Sequence, residues 1–327
     1  MKQKIKSFVV HKSPDIDCLT ALWLMYRFGY LKFEGTQTAS TDFQSIDKID
    51  GKTMEKEGII ALDCGKWRFD HHDLDPEQEN LCATVLVAKY LGIDKINALD
   101  KILKFVQRKD VDGKGVISKD GLDQAFHFST FVDDLNSLYP ENPDKIQEIV
   151  FALLDAHYLS EKIWFDLLDQ IKKADNIQTH NGKIVYLVSD SHKAARASRY
   201  RGFDVCIIQN TQTNNIAIQW NSTKFQEKDH KNMVKRATIY LRFLEALYRG
   251  EKINIKELLS SETYLGWFLH SSCKFVLYGS SKISITQNSQ IPKEFILELV
   301  AYAIDNTRGL PVIVSHNQIF KELIKIA

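Results

Sequence analysis

The chain opens on an apolar triplet, Phe8, Val9 and Val10, that stops at His11 and gives way to the polar run Lys12, Ser13, Pro14, Asp15. A short continuous apolar run closed by turn residues predicts a buried strand over 5–10 that ends in a loop. From Asp17 apolar residues recur at helical spacing up to Gly29, which predicts a helix with Asp15 or Asp17 at its start. A second apolar run, Ile59 to Leu62, meets Asp63, Cys64 and Gly65, so another buried strand hands over to an acidic loop. Beyond the polar Asp70, His71 and His72 the pattern turns helical, over 83–91, 95–108, 122–138 and 144–174.

The polar stretch 178–182 reads as a boundary, after which short strands and helices alternate. Strands are predicted over 184–188, 205–209, 216–220 and 274–278, and helices over 192–200, 230–248 and 292–304. The expected fold class is α/β: an N-terminal domain over 1–178 with a parallel sheet and helices, and a smaller C-terminal α/β domain over 183–327, with a cleft between them.

Composition narrows the function. With 43 Lys+Arg against 42 Asp+Glu the net charge is +1, so no global positive field marks a protein that coats duplex nucleic acid. The five cysteines are scattered and never form C-x-x-C, which argues against a disulfide framework and a zinc knuckle and points to a reducing compartment. No apolar run reaches membrane-spanning length, and the first residues leave too short an apolar core for a signal peptide. The expectation is a soluble, cytoplasmic protein.

Three strand-to-loop junctions carry metal-type ligands: His11 with Asp15 and Asp17, then Asp63, then Asp70 with His71 and His72. Sites in open α/β sheets form at the carboxyl ends of strands, where residues distant in sequence converge. Imidazole nitrogen and carboxylate oxygen suit Mn²⁺ or Mg²⁺, and two such ions can clamp the oxygens of a phosphoryl displacement. So many carboxylates in one place also need cations, since repulsion would otherwise raise their pKa values. The run DVDGKGVISKDG from Asp110 imitates a calcium loop, but Lys114 and Gly121 stand where oxygen ligands belong. Arg196 and Arg199, in a basic run on the helix predicted over 192–200, are candidates for phosphate contact.

These residues resemble the DHH phosphoesterase superfamily, whose signature tripeptide matches Asp70, His71 and His72. His11 to Asp17 resembles its first motif and Asp63 its second. The resemblance implies His11, Asp15, Asp17, Asp63 and His71 as metal ligands, His72 near the substrate phosphate as a catalytic group, and Asp70 orienting its neighbours. A fourth motif should add an aspartate, for which RKDVDGKG offers Asp110 first and Asp112 second. Only six residues separate Asp63 from Asp70, a spacing closer to the melanocyte-proliferating-gene family of DHH-like exonucleases than to pyrophosphatases. The chain lacks the glycine-rich motif ending in histidine that often marks the superfamily's second domain. Residues 266–282 instead resemble a histidine-then-glycine arrangement, which implies His270, Gly279, Ser280 and Lys282 as substrate-binding groups.

The function expected from this is manganese- or magnesium-dependent hydrolysis of a phosphoester with two ions. The substrate would be a phosphate-containing small molecule or a short single-stranded nucleic acid, with no membrane partner and a homodimer left open. The competing class is a noncatalytic nucleotide- or phosphate-sensing protein that retains the metal site.

Overall fold

The computed structural model describes residues 2–72, 81–221, 223–225, 227–280, 287–309 and 312–326. The chain is mixed α/β and divides into two units of nearly equal length, Met1–Lys162 and Ile163–Ala327.

In the first unit β1 (Gln3–Lys4) pairs in parallel with β3 (Phe33–Glu34). β2 (Ser7–His11) lies between β4 (Ser40–Gln44) and β5 (Ile59–Ala61) in a three-stranded parallel sheet. The unbroken apolar run of β2 follows from cover on both faces. Phe8 and Val10 enter the main core, whereas Val9 packs with Ile49, Ala61 and Cys64 on the other side. Parallel neighbours cannot be joined by a tight turn, so the chain crosses over through α1 (Ile16–Phe28) before β4 and α2 (Gly51–Lys56) before β5. β4 has no buried residue, which is why its sequence, STDFQ, carries no strand signal.

α1 is enclosed on nearly every side, with Leu19, Leu22, Trp23 and Leu24 in the same core as residues of α3 (Ala83–Leu91), α4 (Asp100–Asp112) and α7 (Pro143–Lys173). The single helix predicted over 122–138 is two, α5 (Gly121–Ala125) and α6 (Phe128–Leu138). The break falls at Phe126 and His127, where the His127 ring accepts from Ser129 N–H and caps α6.

The second unit holds one seven-stranded sheet. Its strands are β6 (Asn176–Gln178), β7 (Lys183–Val188), β8 (Val205–Gln209), β9 (Ile216–Trp220), β10 (Thr263–Tyr264), β11 (Trp267–Leu269) and β12 (Phe275–Tyr278). They lie in the order β10-β11-β12-β9-β8-β7-β6. Within this sheet only β7 and β8 run parallel, joined through α8 (Ala194–Tyr200). α9 (Glu227–Arg249) and α11 (Lys293–Ile304) share its core, with α10 (Ile255–Ser260), α12 (Val312–Ser315) and α13 (Gln318–Ile326) completing the unit. The polar stretch 178–182, read as a boundary, is the turn of the β6–β7 hairpin, in which Gln178 faces Lys183. Polar turn residues read alike in a hairpin and in a linker. Among the described residues no helix is long and apolar enough to cross a membrane.

Candidate metal centre

Strand register creates the centre. Ser7, Phe8 and Val9 of β2 face Ile59, Ile60 and Ala61 of β5, and Leu62 N–H donates to Val9 O at 3.0 Å, so His11 and Asp63 emerge side by side at the carboxyl ends of the strands. The chain then doubles back: Asp63 N–H donates to Phe69 O at 3.0 Å and Asp70 N–H to Trp67 O at 2.8 Å. This closed loop is why seven intervening residues suffice to return His71 to Asp63. It also needs unusual backbone. Asp63, Gly65 and Lys66 all have positive φ (59°, 84° and 51°). Gly65 is packed so closely that a Cβ would meet Gly51 N at 2.9 Å.

Asp63 is nearly enclosed and divides its two oxygens. Oδ2 stands 3.5 Å from His11 Nε2, and Oδ1 stands 3.3 Å from His71 Nε2. His71 Nε2 is in turn 3.3 Å from Asp110 Oδ2 and 4.0 Å from Asp17 Oδ2. None of these approaches is aligned as a hydrogen bond at His71 Nε2, Asp63 Oδ1 or Asp110 Oδ2, which are buried and without a hydrogen-bond partner. Buried polar atoms are almost always paired, and three orphans facing one another call for a ligand. Two donors each about 2.1 Å from one ion, at tetrahedral to octahedral angles, are roughly 3.0–3.4 Å apart. The 3.3 Å spacings match that edge length. The residues present therefore fit a divalent cation.

Asp17 reaches the centre by a separate route. It follows the Asp15 cap in the first turn of α1 and is fully buried, with Oδ2 accepting Ala83 N–H at 2.8 Å and Oδ1 accepting Thr84 N–H at 2.9 Å. These donors belong to the first turn of α3, so one carboxylate both caps α3 and points at the cluster. Asp15 caps α1 through Cys18 N–H at 2.9 Å. Of the two fourth-motif candidates, Asp110 joins the cluster, whereas Asp112 is exposed beside Lys104, Gln107, Arg108 and Val111. Two positions on a helix are about 200° apart, so both cannot face one pocket.

The electrostatics agree with a site that suits a cation. Burial, then Asp63 and Asp110, push Asp17 up to about 7. Burial and Asp63 raise Asp15, and burial with Asp63 and Asp15 raises Asp110 against the pull of His71. The neighbouring Asp63, helped by Asp110 and Asp17, lifts His71 to about 9. Burial opposes protonation of His11, but Asp63 and Asp15 outweigh it and raise the imidazole. Asp63 is held below its usual range because His11 and His71 together exceed its burial cost.

Asp70 works from behind. Its Oδ2 accepts Lys66 N–H at 2.8 Å, and its Oδ1 takes His72 N–H at 3.1 Å and ring Nδ1 at 2.8 Å. The exposed His72 ring is thereby fixed against His71, with ring centroids 4.3 Å apart.

Sequence reasoning passed over two thiols. One ligand-capable atom from each of His11, Cys18 and Asp63 lies within 4.8 Å of the others, and the same holds for Asp17, Cys82 and Asp110. Burial and nearby carboxylates push both thiols up, so they stand neutral beside the carboxylates. The signals were slight: Cys18 directly follows Asp17 in the first turn of α1, and Cys82 directly precedes α3.

The second-unit candidates do not form one group. His270 lies in the β11–β12 turn, where its ring meets Ser272 Oγ at 2.9 Å. Gly279 and Ser280 follow β12 at the opposite end of that hairpin, with Gly279 N–H donating to Gly266 O. Both sites end apolar runs, but consecutive antiparallel strands finish at opposite ends of the sheet. Lys282 lies outside the described residues. Arg196 and Arg199 are exposed on α8, three residues apart on one face, with the Arg196 guanidinium over the Trp164 ring at 5.7 Å.

No family model and no curated protein matches the chain. Among solved structures it is similar to an uncharacterized protein from Helicobacter pylori G27, at 12% identity over 90% of this chain and 99% of that one, with a TM-score of 0.24.

Proposed function

We propose that the chain is a divalent-metal-dependent phosphoester hydrolase working with two ions, Mn²⁺ or Mg²⁺. The carrying observation is the division of Asp63, one oxygen toward His11 and the other toward His71, with Asp63 Oδ1, His71 Nε2 and Asp110 Oδ2 unpartnered between them. His11, Asp15 and Asp63 would hold one ion, and Asp17, Asp63, His71 and Asp110 the other. The motifs that resemble the DHH superfamily favour the same assignment. Bound there, the ions supply Lewis acidity toward phosphoryl oxygens and an acidified water.

The protein's own groups do the rest. Asp70 fixes His72, whose exposed ring stands at the edge of the cluster to bind the phosphate or protonate the departing oxygen. Asp17 ties α3 to the ligand set, so the pocket is organised before substrate arrives. The near-neutral net charge favours a small phosphate compound or a short single-stranded oligonucleotide over duplex. All five cysteines are free thiols, in keeping with a reducing, cytoplasmic setting.

Hydrolysis of bis(p-nitrophenyl) phosphate with Mn²⁺ tests the reading. The parent should turn over only with metal, and Asp63→Ala should be slower by about 10³-fold. Equal background rates in both, with Mn²⁺ still bound to the parent, would replace the enzyme with a noncatalytic nucleotide- or phosphate-sensing protein. Short single-stranded RNA and DNA, cyclic dinucleotides and pyrophosphate, compared side by side, then fix the substrate class.

A further inference from the structure

Cys18 has no part in the function proposed above, yet it borders one of the two ion positions. It sits in the first turn of α1, fully buried, with its sulfur in ligand range of both His11 and Asp63. Its Sγ has Leu62 O as hydrogen-bond acceptor at 4.0 Å, the outer limit of a sulfur hydrogen bond. Asp63, which shares the triad, is more than nine-tenths buried, with Oδ2 toward His11 on this side and the unpartnered Oδ1 toward His71 on the other. Oxygen and imidazole donors accept hard and borderline ions, whereas a thiolate donor selects soft or thiophilic ones.

We propose that His11, Cys18 and Asp63 form a mixed nitrogen, sulfur and oxygen site that captures a thiophilic divalent cation, Zn²⁺ or Cd²⁺, in place of the hard ion. The proposal rests on the metal-centre reading above for the identity of the ion displaced. On capture the Cys18 S–H bond breaks, its electron pair forms the sulfur–metal bond, and the proton passes to buffer, with no change of oxidation state. An oxygen-preferring ion such as Mn²⁺ leaves the thiol protonated. The same centre thus answers two classes of cation by different donor sets, and Cys18 decides between them. Cys82 stands in the equivalent place beside Asp17 and Asp110 and serves as the internal control.

Cd²⁺ titrated into the full-length protein tests this. The parent should develop the ultraviolet charge-transfer band of a cadmium thiolate, and saturating Mn²⁺ should shift the Cd²⁺ curve to higher concentration. Cys18→Ala should lose that component of the band and bind Cd²⁺ about 10–100-fold more weakly, with Mn²⁺ affinity within about threefold of the parent. Cys82→Ala should keep the Cys18 component. The cadmium-113 resonance adds a second readout: a downfield position that survives in Cys82→Ala reports Cys18 as the sulfur ligand, and an all-oxygen-and-nitrogen position overturns the proposal. An unchanged band in Cys18→Ala also overturns it while Mn²⁺ binding survives. Failure of Mn²⁺ and Cd²⁺ alike to bind overturns this proposal and the hydrolase reading together.

Discussion

Two groups of buried acids, one in each unit, are treated in opposite ways. In the second unit Glu245 is fully enclosed and fully answered. Its Oε1 accepts from Arg249 Nε and Gln290 N–H at 2.8 and 3.0 Å, and its Oε2 accepts from Trp267 Nε1 and Ser289 Oγ at 3.0 and 2.7 Å. In the first unit Asp17, Asp63 and Asp110 crowd together with two imidazoles, yet key atoms of Asp63, His71 and Asp110 stay unpartnered. A satisfied buried acid is a fastener, because its solvation has been replaced within the protein. An unsatisfied cluster is a socket, because something from outside must complete it. Burial alone therefore says little about role; the inventory of donors and acceptors separates the two.

Substitution at Glu245 gives the largest stability effect. Glu245→Ala leaves the buried Trp267 indole N–H without its acceptor and takes one partner from the half-buried Arg249 guanidinium, and should cost about 2–4 kcal/mol in denaturant unfolding, with Mn²⁺ affinity unchanged. Asp63→Asn should do the reverse, leaving the metal-free protein nearly as stable and removing metal binding. If both variants lose stability equally, the distinction between fastener and socket fails.

Next comes the ligand set itself. Asp110→Ala should weaken Mn²⁺ binding by about 10–100-fold in equilibrium titration. Asp112→Ala should leave it within about threefold, because its side chain stands on another face of α4. Equal losses would return both to the site.

Acidity sharpens the contrast further. Asp17 titrates at about 7 in the folded chain against 3.8 ordinarily, so the fold holds that proton more tightly than the unfolded chain. Its contribution to stability is present at acid pH and is lost as pH rises from about 4 to about 7. His71, at about 9 against 6.5, acts in the same direction: stability present below 6.5 is lost toward 9. The cluster's share of metal-free stability should therefore fall with rising pH. Mn²⁺ must displace these protons, so its affinity should rise over the same range. Thermal unfolding with and without Mn²⁺ across pH 5 to 9 reads both, and parallel curves would contradict the coupling.

How much of this was visible in the sequence depended on which signal each element carries. Strands buried on both faces, such as β2 and β8, announce themselves as apolar runs, and α3 begins and ends where its pattern and Gly92 place it. The edge strand β4 is polar except for Phe43 and carries no strand signal, and the β6–β7 turn reads as a boundary because turns and linkers are written in the same residues. The metal-centre candidates were legible because parallel topology gathers strand ends, so His11 and Asp63 had to meet. The same rule failed for His270 and Gly279, whose strands are antiparallel. What sequence lacks is the third dimension of a helix face: it offered Asp110 and Asp112 together and missed Cys18 and Cys82 altogether.

The most direct measurement is a count of Mn²⁺ ions bound per chain, by electron paramagnetic resonance of the free ion during titration, in the parent and in Asp63→Asn. The account predicts two ions in the parent and loss of both tight sites in the variant, since Asp63 faces both sides of the centre. Two ions bound equally well by Asp63→Asn, or none bound by the parent, would contradict it.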